Sequence, residues 1–208
     1  MTTITWRNEF LGIILVDEVM LPNKYKAVFA ITVHTDDKLE QNMAFERLQY
    51  FMEKTIDNTL FACINNPVID DIIGGAVATN IAFLPKEPYD QIIAMALHCK
   101  LNVILEGKMT VDALSLSSHH GDDIEYIFGS DDSYGLLDSD DPVTPWWFTN
   151  DAATIADDFV DATEDEINSY QEAFGWNKLG FTWDGETAVS VVKNLFKPRI
   201  IDGGKKPT

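Results

Sequence analysis

The chain is poor in cysteine and, over one long interval, has no positive charge at all. Its two cysteines, Cys63 and Cys99, each sit inside an apolar segment, where free thiols usually lie. Sequence alone leaves a disulfide between them open, but no other feature points to an oxidising compartment. Long hydrophobic runs are missing too. The longest, such as Ile13–Val16 and Ile92–Leu97, fall far short of the ~20 residues that span a bilayer. Met1–Trp6 lacks the basic flank and apolar stretch of a signal peptide, so a cytoplasmic protein without membrane attachment is expected. There is no Gly-x-x-x-x-Gly-Lys-Ser/Thr phosphate loop, no Gly-x-Gly-x-x-Gly fingerprint, no Gly-x-Ser-x-Gly elbow and no Cys-x-x-Cys pair. Those absences argue against the common nucleotide, serine-hydrolase and thiol-redox chemistries.

What is present in excess is negative charge. The chain has 15 lysines and arginines against 34 acidic residues, a formal net charge of −19. None of the basic residues lies between Lys108 and Lys178, an interval that carries half of the acidic ones. Direct contact with nucleic-acid phosphate or anionic lipid is therefore disfavoured, since both need positive charge at the contact. Fast, salt-sensitive association with a basic protein partner is favoured instead. Proteins adapted to saline habitats reach the same composition with no partner, and a homo-oligomer is equally open.

With 46% hydrophobic residues in 208, the chain can build a core without staples. Phe10–Val16 reads as a buried strand, and Tyr25, Ala27, Phe29, Ile31 and Val33 alternate as a second, with Pro22-Asn23 as the turn between them. Asp37 caps a helix, with Glu40 completing a capping-box-like arrangement, and Leu48, Met52, Ile56 and Leu60 repeat at spacing four along it. Val77–Phe83 alternates as a strand. Ile93, Leu97, Leu101 and Ile104 form a second helical face closed by Gly107, and strands follow at Val111–Ser118 and Ile124–Phe128. The expected class is α+β, a mainly antiparallel sheet with two helices on one face, ferredoxin-like or a related sandwich. Residues 1–128 form the core of this reading. Residues 129–208 form an acidic, tryptophan-containing helix and loop layer packed on or linked to it, with a capped helix from Thr163 to Gly175 and a hairpin or strand and helix over 176–196.

Three features carry candidate chemistry. Ser118-His119-His120-Gly121-Asp122-Asp123 offers two imidazoles and two carboxylates, a ligand set for a divalent transition metal and metal-dependent hydrolysis, with His34 able to join across the sheet. Against it, the segment also reads as a polar hairpin tip, and neighbours on a strand point to opposite faces. Asp131-Asp132 and Asp138–Asp141 lack the glycine and glutamate of a calcium loop. The third feature is Trp146-Trp147 within the carboxylates Asp131, Asp132, Asp138, Asp140, Asp141, Asp157, Asp158 and Asp161. Aromatics anchor interfaces, and an apolar centre with an acidic rim suits a basic protein surface, including one that otherwise grips nucleic acid. The tryptophans also suit inward packing. The favoured reading is a non-enzymatic acidic binding protein that needs no cofactor. The metal-dependent hydrolase and a structural component with solubilising acidity are the alternatives.

Overall fold

A computed structural model describes residues 2–69, 80–138, 145–154 and 174–183. Its frame is a hairpin of two 15-residue strands, β1 (Thr2–Val16) and β2 (Val19–Val33), paired in unbroken antiparallel register from Thr2↔Val33 to Val16↔Val19. Asp17 makes the turn in the left-handed region at φ 53, which a short polar side chain tolerates. The turn is thus five residues earlier than Pro22-Asn23, and those two residues lie inside β2. Pro22 is accommodated because it faces Ile13 at a pair that exchanges no backbone hydrogen bond, so its missing N–H costs the β1–β2 ladder nothing.

Asp37 caps helix α1 (Lys38–Tyr50), its carboxylate accepting from the Leu39 N–H at 2.7 Å. Glu40 does not close a capping box. It accepts from the Thr35 hydroxyl and pairs with Lys108. The helix runs on as a wider π-helical turn (Phe51–Ile56), which keeps Phe51, Met52 and Ile56 in the core. Leu60 has left the helix by then and belongs to β3 (Thr59–Cys63), buried at every position. Strand β4 (Ile81–Leu84), helix α2 (Asp90–Ile104), β5 (Met109–Ser118) and β6 (Tyr126–Gly129) follow. Of the alternating segment expected at Val77–Phe83, Val77 and Thr79 lie outside the described residues.

The fold is α+β, with a six-stranded sheet in the order β4-β3-β1-β2-β5-β6. The sheet is mixed, not the mainly antiparallel, ferredoxin-like one expected: β3 runs parallel to β1 and β4 parallel to β3. Both helices cover one face, where Phe10, Ile14, Tyr25, Phe29 and Ile31 of the hairpin meet Leu48, Phe51, Ile93 and Leu97. Opposite, Leu15, Leu60, Ala62 and Ile69 form a small second cluster at one end of the sheet. Cys63 and Cys99 are both buried and free, and burial pushes the Cys99 thiol up to about 11.

Segments after residue 129 pack on this core. Trp146 and Trp147 open a single 3-10 turn (Trp146–Phe148) and are 1% and 3% exposed. The fully buried Lys100 of α2 donates to the Thr149 carbonyl at 2.8 Å, the Thr149 hydroxyl at 2.9 Å and Asp151 at 3.0 Å. Its ammonium also lies 5.6 Å from the Phe51 ring centre. Arg47 of α1 seats the next segment: its guanidinium donates to the Phe181 carbonyl at 2.7 and 2.9 Å and to Glu106 at 2.6 Å, and lies 4.0 Å from the Trp183 ring centre. Replacing Lys100 with methionine removes the ammonium that Asp151, the Thr149 hydroxyl and the Thr149 carbonyl share. Urea unfolding of K100M is expected to show a loss of about 3 kcal/mol.

Candidate functional site

The Ser118–Asp123 motif does sit at a sharp turn, with Asp122 and Asp123 both left-handed at φ 56 and 55. The turn nevertheless sends its side chains apart. His119 and His120 have ring centres 5.8 Å apart; His120 Nε2 lies 2.9 Å from the Pro22 carbonyl, and Asp123 pairs with Lys26 at 3.0 Å. Asp122 is exposed. His119 and Asp123 line a cleft of about 610 Å³ on the sheet face opposite the two helices, beside Leu11, Pro22, Lys24 and Lys26. His34 does not reach them. It binds the Thr110 hydroxyl at 2.8 Å, at the opposite end of β5, about 30 Å away at the rise of an extended strand. Among the described residues, no group of three or more His, Cys, Asp or Glu is placed to share an ion.

Behind the motif lies a polar enclave that periodicity could not reveal. Ser118, paired across the sheet with Tyr25, donates to Asp90 Oδ1 at 2.9 Å at the start of α2. The Asn23 side-chain oxygen accepts from the His120 N–H at 3.1 Å. Asn23 Nδ2, the Tyr25 hydroxyl and Asp90 Oδ2 are buried with no hydrogen-bond partner among the described residues. Burial raises the Asp90 carboxyl above the ordinary range, opposed by the Ser118 hydrogen bond and by the charge of His120; burial likewise raises the Tyr25 phenol. Gly121 is required here by space. A methyl at its Cα would stand 2.5 Å from Asp90 Oδ2 and 3.2 Å from Ser118 Oγ.

The acidic layer has a different apolar centre from the one expected. Trp146 and Trp147 face the core, so neither presents an aromatic surface. Ile124, Tyr126 and Ile127 are exposed instead, Ile127 at 71%, on and beside the edge strand β6. Asp122, Glu125, Asp131, Asp132 and Asp138 lie before, within and after this stretch of chain, all exposed, and none forms an ion pair among the described residues. Alternating acidic and apolar residues over Asp123–Tyr126 were the signal for this patch, and it resembles that of an ordinary strand. Asp140, Asp141, Asp157, Asp158 and Asp161 lie outside the described residues, as does the capped segment from Thr163 through residue 173.

The two edges of the sheet are treated differently. The outward carbonyls of β4 are occupied: Ile81 O accepts from the Thr154 hydroxyl at 2.9 Å and Phe83 O from the Trp146 indole at 2.8 Å. On β6, Gly129 is closed by Asp132, which takes its N–H at 2.8 Å and donates to its carbonyl at 3.0 Å. Ladder alternation then turns the N–H and C=O of Ile127 outward. Next to this edge, a cleft of about 460 Å³ runs between α2 and the loop after β6.

No family model matches the sequence, and no curated protein matches it. A crystal structure of an uncharacterized protein from Wolinella succinogenes is similar over 62% of this chain and 98% of that one, at 9% identity and a TM-score of 0.45. That likeness is too slight to carry an argument. Among the described residues, no helix is long and apolar enough to cross a membrane.

Two outcomes test the enclave. G121A should lower the thermal midpoint, at a cost of about 1–3 kcal/mol for a methyl forced into a filled space. A carboxyl that holds its proton more tightly folded than unfolded contributes most below the ordinary carboxylate pKa, and that contribution is lost as pH rises through its raised value. D90N removes this ionisation, so melting curves should show it gaining on the wild type between pH 4 and pH 7. An equal offset at both pH values would show that Asp90 does not titrate as described.

Proposed function

We propose that this chain is a non-enzymatic binding protein that uses its acidic layer to engage a positively charged protein surface, in competition with nucleic acid. One observation supports the reading: an exposed apolar edge, Ile124, Tyr126 and Ile127, in a stretch whose exposed Asp122, Glu125, Asp131, Asp132 and Asp138 have no ion pair among the described residues. Where exposed acids serve only solubility, they are normally interspersed with lysine and arginine; here a basic residue is absent from the whole interval 109–177. Such a field steers a basic partner, and the apolar centre supplies contact area that water gives up on association. The reading calls for neither metal nor cofactor. Direct binding to nucleic acid or to a membrane is not part of it.

The reading predicts complexes captured from host lysate at 0.05 M salt that weaken roughly tenfold or more by 0.5 M. They should also be lost when Asp122, Asp131 and Asp138 are changed together to lysine. A complex indifferent to both salt and charge reversal would end this reading and favour a structural component whose acidity serves only solubility.

A further inference from the structure

The cleft beside β6 offers more than negative charge. Ala94 and Met95 of α2 and Leu136 of the loop after β6 give it apolar lining, beside the polar Gln91 and Ser133. Asp132 lines the same cleft and is the acidic residue in its lining. Its carboxylate does not move freely, because Oδ2 is held by the Gly129 N–H. The loop that carries it is fixed from below: the Tyr134 hydroxyl lies 2.7 Å from His98 Nδ1, the Tyr134 ring meets Phe128 at a tilt with centres 5.1 Å apart, and Leu137 is buried. Burial pushes the Tyr134 phenol up to about 12, so the hydroxyl keeps its proton. Asp132 has no ion pair among the described residues. A cleft lined by apolar side chains and by one held carboxylate without an ion pair among the described residues suits a side chain with an alkyl stem and a cationic head.

We infer that this cleft is a receptor for one lysine or arginine side chain of the basic partner. The stem lies along Ala94, Met95 and Leu136, and the head pairs with Asp132. The inference rests on the proposed function for its partner, but the cleft is testable apart from it. The occupant follows from charge complementarity, since an acidic or neutral side chain would leave Asp132 facing a like charge or none.

The test is a titration of the full-length, 15N-labelled protein with n-butylguanidinium, with the uncharged isostere n-butylurea in parallel, read by amide shifts. Expected are saturable shifts at Met95, Ile127, Asp132 and Leu136 with the cation and none with the urea. D132N should weaken the binding about fivefold, while D36N, with the same change of charge at an exposed residue beyond the far end of β2, should leave it unchanged. Equal effects of D132N and D36N, or shifts spread without saturation over the acidic surface, would overturn the inference. An octaarginine peptide separates this from the broader reading. If it binds in a salt-sensitive way while the cleft stays silent, the acidic surface stands and the cleft falls. If butylguanidinium saturates the cleft while octaarginine does not bind, the cleft stands and the broader reading falls.

Discussion

Two buried cations hold the described segments after the sixth strand to the helices. A lysine or arginine taken out of water costs several kcal/mol unless hydrogen bonds and a counter-charge replace the solvent. In this molecule the replacements come from far along the chain: residues 149–151 for Lys100, and Glu106 with the Phe181 carbonyl for Arg47. The same segments that cover these two cations therefore also supply their partners. With those segments seated, Trp146 and Thr154 fall where they can occupy the outward carbonyls of β4. The edge of the sheet, the position of the buried tryptophans and the placement of the later segments follow from the same electrostatic requirement. Withdrawing these two cations from the surface also sharpens the imbalance outside.

Much of the fold was legible because its signals are local. Asp37 announces a helix start by its own side chain, and the alternation from Tyr25 to Val33 needs only the pleat of one strand. The failures share a different character. Leu60 continues the spacing of Leu48, Met52 and Ile56, yet a wider turn intervenes and a buried strand begins; a four-residue repeat cannot register where a helix stops. Pro22-Asn23 looks like a turn, yet proline is harmless in a strand when its nitrogen points away from the partner, which depends on a register set by Asp17. The parallel pairing of β3 and β4 involves crossovers that no short window contains.

The site was legible in part for the same reason. The Ser118–Asp123 motif is a genuine concentration of chemistry, but composition counted the imidazoles while the fold uses the serine, the glycine and one backbone N–H. Asp90, the partner of Ser118, is 28 residues away and carries no mark in sequence. His34 and His119 illustrate the converse, since residues at opposite ends of paired strands are far apart however near the strands lie. The acidic surface was visible as composition. Its apolar centre moved from tryptophan to isoleucine and tyrosine because indoles with a carbonyl or a ring to meet are held inside.

The unequal edges of the sheet bear on how copies of the molecule can meet. A sheet open on both sides can add neighbours without limit, which is the geometry of a fibre. With the β4 carbonyls occupied and Gly129 of β6 closed, Ile127 is left as the single outward residue of its strand. Among the described residues, strand pairing between two molecules at Ile127 would use the one outward residue of that strand, and the crowding of like charge around the junction opposes it.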